Sequence, residues 1–428
     1  MTAHRRITSL LAEPVFRRLW VIGVFTSIAR WLDMLVVGIF AWEITGSPFL
    51  VALLVLLRLL PLAVFGPVFG TLADRLLPKR MLGTGFWVAG LSSAIIFLLF
   101  LFDVVAYWHI AIAVVISGTM WAADFPLRRR MLGDAVQNGD AESPRDGENP
   151  ARDTHHDRAG RIAAAMSLDS ATNNATRMIG PLLGGVIYHW IGASGAFALN
   201  AVLFFAAAVL LAGVPTVRSI GVPAEPITRA LRDFRDALSY AAGDRDIRSV
   251  LLITVVFNVW GFPFLSMIPV IGGGELGLSA NWVGVLVALE GAGAFIGALL
   301  VAMNVRTGQF RRLYFGGSVL HLSFVFVLGW MGDALPFGIV IFVIGLVAAG
   351  FTTMQSTLIF TIARPEMRGR LFGLVVACIG TGLIGNANIG LMGELFGGSA
   401  AIRIVAAEGL VPLLIIGFLW KELWRGRA

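Results

Sequence analysis

Ionisable side chains stand inside long apolar runs of this sequence, among them Arg30, Asp33, Arg58, Asp169, Arg177, Glu290, Arg403 and Glu408. Charge in such surroundings is costly, so each one marks a function or a pairing partner. Arg30 and Asp33 are three residues apart and can pair on one helix face. Asp169, Asn173 and Arg177 follow at spacings of four, which makes one polar stripe on a helix. The central candidates are Asp33, Arg58, Asn173, Arg177 and Glu290, to which Asn258, Gln355 and Asn386 can add hydrogen bonds. Burial disfavours the charged form of a carboxyl, so such a group can take up a proton and release it when hydrated or beside an arginine. Two chemistries are open: proton exchange at Asp33, Glu290 or both, with Arg58 and Arg177 as charge partners, or static ion pairs and helix–helix hydrogen bonds. Trp31, Trp42 and Trp121 could line an apolar cavity, though packing and lipid contact explain most aromatics as simply. His109, His189 and His321 are isolated. There is no zinc-ligand spacing, nucleophile elbow, phosphate-binding loop or intramembrane protease signature. No enzymatic activity, cofactor or metal is therefore expected.

The elements that must hold these residues follow from composition. Of 428 residues, 57% are apolar and 14% charged, against roughly 25% charged in a soluble domain. A soluble multidomain enzyme, a disordered chain and a disulfide scaffold are excluded on these grounds. Apolar runs are marked at about 18–44, 48–73, 81–102, 106–127, 162–190, 194–214, 249–271, 280–304, 312–331, 335–363, 370–396 and 399–421. Each can cross ~30 Å of hydrocarbon as a helix, and the runs are too long and continuous for barrel strands. The expected fold class is an all-α membrane protein with twelve transmembrane helices in two pseudo-symmetric six-helix bundles. The expected division is a bundle over 1–214, a cytoplasmic linker over 215–248 and a bundle over 249–428. Cys378 is the only cysteine, which leaves no intramolecular disulfide. No cleavable signal peptide is expected.

Lys and Arg outnumber Asp and Glu by 33 to 26. With twelve spans, 29 of the 33 fall in the termini and alternate loops of one side, which the positive-inside rule makes cytoplasmic. The basic balance is then a topology signal, and no nucleic-acid partner is expected. Segment 137–158 is polar and aperiodic and reads as a flexible insertion, with His155 and His156 solvated. In the linker, Ile227, Leu231, Phe234, Leu238 and Ala241 recur at helical spacing. They predict an amphipathic helix, lying either at the membrane interface or packed as a linker.

The halves also repeat. Residues 157–162 match 366–371 at an offset of 209, with Gly184 on Gly393; earlier, Gly66 falls on Gly297, Arg75 on Arg306 and Arg80 on Arg311 at an offset of 231. The difference of 22 is the length of the insertion 137–158, so one insertion reconciles both alignments. Glycine pairs four apart, which permit close helix packing in lipid, occur at 66/70, 180/184, 293/297 and 393/397. These lie on runs 2, 5, 8 and 11, where two parallel repeats would meet.

Gly70-Thr-Leu-Ala-Asp74-Arg75-Leu-Leu-Pro-Lys79-Arg80 resembles the gating-loop signature of the major facilitator superfamily. Gly180-Pro181-Leu-Leu-Gly184-Gly185 is similar to that superfamily's antiporter motif. Thr45-Gly46-Ser47-Pro48 and Arg368-Gly369-Arg370-Leu371-Phe372-Gly373 resemble the branch that contains enterobactin and macrolide exporters. There are departures. Leu77 and Pro78 stand where the loop signature has glycine and a basic residue. Helix 4, read as Ala111 to Phe125, lacks the arginine that many drug–proton antiporters carry, so their proton relay is not transferred.

The resemblance implies a secondary transporter working by alternating access, with proton-coupled efflux of a small amphipathic molecule such as a siderophore, macrolide or other drug. Asp74 would sit at the positive N-terminal end of helix 11, with Arg128, Arg129 or Arg130 adding an ion pair. The family fold places helix 12 at the periphery, where Arg403 and Glu408 would form an interface pair. The expected partners are the lipid bilayer, a small-molecule substrate and protons. The expected state is a monomer in a bacterial inner membrane, with both termini cytoplasmic. A lipid or lysolipid flippase is the alternative transport reading. A non-transporting sensor or scaffold docking through 137–158 is the alternative of another class.

Overall fold

The computed structural model describes residues 3–75, 78–139, 153–215, 227–305 and 307–423, and these are organised as helices. In chain order they are α1 (Ala3–Ala12), α2 (Pro14–Thr45), α3 (Pro48–Arg75), α4 (Pro78–Leu101), α5 (Tyr107–Gly139), α6 (Asp153–Ala212) and α7 (Ile227–Gly243). Then follow α8 (Arg245–Val256), α9 (Ala280–Asn304), α10 (Phe310–Leu328), α11 (Ala334–Ile362), α12 (Arg368–Gly380), α13 (Gly382–Phe396) and α14 (Gly398–Leu419).

Proline and glycine punctuate them for physical reasons. Proline opens α2, α3 and α4, where its missing N–H costs nothing. Gly46 ends α2 in the left-handed region, with φ 59°, and donates its N–H to the Trp42 carbonyl. Gly192 turns α6 sharply, with φ 83° and ψ −176°. Between α8 and α9, Pro263 and Pro269 interrupt the helix, and residues 257–275 run as π-helical and 3-10 turns.

Nine stretches among the described residues are long and apolar enough to cross a membrane. The outward face of α4 shows why this is a membrane protein: Trp87, Leu91, Ile95 and Leu98 are exposed at helical spacing, a surface suited to lipid and not to water.

Three sequence expectations meet different local structure. The segment 137–158 is not a loop throughout, because α5 continues to Gly139 and α6 begins at Asp153; residues 140–152 lie outside the described residues, as do the side chains of His155 and His156. Arg128, Arg129 and Arg130 consequently stand within α5 and not in a cytoplasmic loop. The glycine pairs of runs 5 and 8 do not carry the contact expected of them, whereas Gly393 of run 11 does meet run 2. Gly180 and Gly184 accommodate Trp31 and Leu32 of α2, while Gly293 and Gly297 accommodate Leu346 and Ala349 of α11. The close approach of α6 to α9 belongs to Gly185 and Gly284. A Cβ on Gly185 would stand 2.7 Å from the Ala280 carbonyl and 2.9 Å from Gly284 Cα. Gly390 and Gly393 of α13 lie against Ala52 and Pro48 of α3. The surroundings of Gly66 and Gly70 lie outside the described residues.

Helix α7 packs on α12 and α3. Ala237 and Ala241 are buried, and Asp233 and Asp236 bind Arg370 at 2.9 and 3.3 Å. Phe234 and Leu238 point outward and stay exposed. The helix is thus docked on its neighbours and still presents two apolar side chains outward.

Candidate functional site

The polar stripe of α6 is the axis of the site. Asp169, Asn173 and Arg177 are stacked one turn apart, and each meets a different helix. Asp169 accepts from Arg128 at 2.5 Å and from Arg129 at 2.9 Å, both on α5. Asn173 Oδ1 accepts from Arg30 of α2 at 3.0 Å. Arg177 donates to Glu290 of α9 at 2.6 Å. One helix face therefore ties α2, α5 and α9 together through charge-assisted bonds.

Asp33 and Arg58 form a second buried pair, 2.6 Å apart, between α2 and α3. Arg30 does not bind Asp33, as their spacing had suggested. Its Nη2 donates to Ser27 Oγ at 2.9 Å and to Asn173, and its guanidinium lies 5.3 Å from the Trp121 ring and 5.9 Å from the Trp31 ring. Asp33 is met instead by Arg58, across the α2–α3 contact.

Two clefts adjoin these pairs. The first is a narrow cleft lined by Trp31, Met34, Leu35, Val55, Arg177 and Glu290, with further residues from 265–287. The second, also narrow, is lined by Thr26, Arg30, Arg58, Ser117, Trp121 and Asp124. Trp31 stands between the Arg30 and Arg177 guanidiniums, 5.9 and 5.3 Å from its ring, and so joins the two.

The other sequence candidates lie elsewhere. Asn258 and Asn386 donate to carbonyls one turn back on their own helices, Thr254 and Gly382. Gln355 donates to Thr254 Oγ1, which also meets the Tyr314 hydroxyl, in a network wholly within the second half. Arg403 and Glu408 are not a pair. Arg403 donates to the Gly329 carbonyl and stacks on Trp330, while Glu408 accepts from Trp260 and Asn388. Of the gating loop, the side chains of Gly70, Asp74 and Arg75 lie outside the described residues. Lys79 caps the end of α6 through the Ala212 and Val214 carbonyls, and Arg80 is exposed.

Sequence reasoning missed three features. Asp124 and Arg128 are buried on α5, 3.3 Å apart, and Asp124 also accepts from Thr26. The helix therefore carries a buried arginine, one residue beyond the apolar run and outside the segment from Ala111 to Phe125. The signal was present as an acid inside run 106–127, four residues before an arginine. Glu394 of α13 binds the start of α3, and His321 is buried against Phe257, with Nε2 3.1 Å from the Gly261 carbonyl.

The family model described as Major Facilitator Superfamily matches residues 19–387. The chain belongs to the major facilitator superfamily of membrane transporters. It is 24% identical over 442 residues to an uncharacterized MFS-type transporter, YfiS, of Bacillus subtilis (strain 168), with 97% of each chain covered. Among solved structures it resembles a bacterial homologue of the human lysosomal transporter Spinster, with TM-score 0.69, 15% identity, and 96% of this chain and 97% of that one covered. It also resembles the nucleoside transporter NupG, with TM-score 0.66, 13% identity, and 96% and 99% covered. A bacterial homologue of the iron transporter ferroportin gives TM-score 0.65, 16% identity, and 97% and 99% covered. At these identities the likeness is one of fold.

Proposed function

We propose that this chain is a proton-coupled secondary transporter that exports a small amphipathic molecule by alternating access. The observation that carries this reading is the Arg177–Glu290 pair, because it joins a helix of the first half to a helix of the second at the wall of an apolar cleft. A pair in that place can be made and broken as the halves rock, and protonation of its carboxylate would weaken it. Asp33 with Arg58 is the second exchangeable pair.

Twelve crossings result when both arms of α6 are counted across Gly192 and Pro48–Arg75 and Phe310–Leu328 are added to the remaining stretches. The two bundles are 1–214 and 249–428, and 215–248 links them. The Lys/Arg distribution argues for cytoplasmic termini in a bacterial inner membrane. The close contacts Gly185–Gly284 and Gly393–Pro48 lie away from the arginine-rich loops, which supports closure on the outer side. Export, not uptake, rests on the 180–185 motif and on the exporter-like motifs at 45–48 and 368–373.

The test is flux by the purified full chain in proteoliposomes, with imposed pH and Na+ gradients, over a panel of siderophore, macrolide and dye substrates. Expected is accumulation driven by the proton gradient and lost in Glu290→Gln. If Asp33→Asn and Glu290→Gln both retain full gradient-driven flux, the coupling reading fails.

A further inference from the structure

Four buried N–H donors at the two clefts have no acceptor among the described residues: Arg30 Nε, Trp31 Nε1, Arg58 Nη1 and Arg177 Nε. Buried polar groups left unmatched in this way call for a partner. The charges in the first half point the same way. Asp33 is paired with Arg58, Asp124 and Asp169 with Arg128, and Asp169 also with Arg129. Arg177 and Glu290 neutralise each other. Arg30 has no carboxylate in hydrogen-bonding contact: among the described residues its partners are Ser27, Asn173 and two indole faces. Asp124 lines the same cleft, beside Arg128 and accepting from Thr26.

We infer that Arg30, with Trp31 and its second indole Trp121, binds the head of an amphipathic organic monoanion, a carboxylate or phosphate ester. Its apolar body would lie along Met34, Leu35, Val51 and Val55 of the adjoining cleft. This names the substrate class of the transport reading and rests on it. The unmatched Nε of Arg30 and Nε1 of Trp31 are donors from which both head groups can accept. An ammonium head, which only donates, would leave all four unmatched. The head group can come from a soluble metabolite or from a lipid.

The test is calorimetric titration of the full chain in phosphatidylcholine nanodiscs with four probes that share one tail: 4-phenylbutyrate, 4-phenylbutyl phosphate, 4-phenylbutanol and 4-phenylbutylamine. The two anions are expected to bind about tenfold or more tighter than the alcohol and the amine. Arg30→Gln should abolish that preference, and Arg403→Gln, which lies in neither cleft, should keep it. If Arg30→Gln does not fold, Trp31→Phe, which keeps a ring and loses the N–H, should weaken only the anions. Equal binding of all four probes, or an anion preference unchanged in Arg30→Gln and Trp31→Phe, overturns the inference. Phosphatidylglycerol in the nanodiscs separates the sources: competition with phenylbutyrate assigns the site to a lipid head group, and no competition assigns it to a soluble anion. The two readings fail separately. Anion binding without any gradient-driven flux defeats the transporter, while flux with no anion preference defeats only the anion site.

Discussion

Arg177 Nη2 and Glu290 Oε1 stand 2.6 Å apart, and through them α6 of the first half is fastened to α9 of the second. Both side chains are nearly excluded from solvent, so removing one partner strands the other. Breaking a buried pair on one side costs about 3–5 kcal/mol, whereas replacing both partners together is often neutral. Glu290→Gln should therefore lower the unfolding temperature strongly, and Arg177→Gln/Glu290→Gln should recover most of it. Flux should be absent from both. Thermal unfolding and proteoliposome flux, measured together, separate the pair's structural part from its coupling part; recovery of flux in the double variant would refute coupling.

The Gly185–Gly284 contact predicts a steric effect. Any Cβ there meets the opposing backbone, which has no flexible end to move. Gly284→Val should hold α6 and α9 apart and keep the outer side from closing. A cysteine placed at Ser266, in a Cys378→Ala background, lies in the cleft and reports this. A membrane-impermeant thiol reagent applied from outside should label it roughly tenfold faster in the glycine variant. Equal labelling rates would show that the contact does not set the closed state.

Much of this site was legible as residue type, and little of it as pairing. Asp33, Arg58, Arg177 and Glu290 are conspicuous because charge inside an apolar run has few explanations. Which acid meets which base depends on how helices far apart in sequence are rotated about their axes. That is why Arg30, three residues from Asp33, gives way to Arg58, twenty-five residues away. Composition also misplaced the end of α5. A polar sequence after an apolar run reads as a loop, yet Asp124 and Asp169 bury Arg128 and carry the helix onward. The glycine pairs on runs 5 and 8 were visible, but spacing does not tell which face of a helix looks across to the other half, and Gly185 and Gly284 fell outside the pattern.

Asp169 holds two guanidiniums, one on each carboxylate oxygen. Asp169→Asn should cost about 3–5 kcal/mol of stability, because Arg128 is buried and keeps only Asp124. Arg129→Gln should be far milder, since that side chain is partly open to solvent and Arg128 remains to satisfy the acid. Chemical unfolding of the detergent-solubilised chain would show the order; equal losses would contradict it.

Glu394 fastens α13 to the start of α3. Its Oε2 accepts from Ser47 Oγ at 2.6 Å and from the Phe49 N–H at 3.3 Å. Those groups begin α3, where the first N–H groups of a helix have no internal acceptor and carry its positive dipole end. A carboxylate on α13 thus caps a helix of the other half, beside the Gly393–Pro48 contact. Unlike an ordinary cap, this one is lost whenever the two halves part on that side. Removing it should leave each half intact and shift the balance toward the outward-open form. A lost cap is worth about 0.5–2 kcal/mol, which is a several-fold to roughly thirtyfold shift in population. Glu394→Gln should shift it less than Glu394→Ala, because an amide oxygen can still accept from Ser47. Outside labelling of the Ser266 cysteine should therefore rise in the order wild type, Glu394→Gln, Glu394→Ala. If both variants label like wild type, the contact is a surface bond with no part in closure.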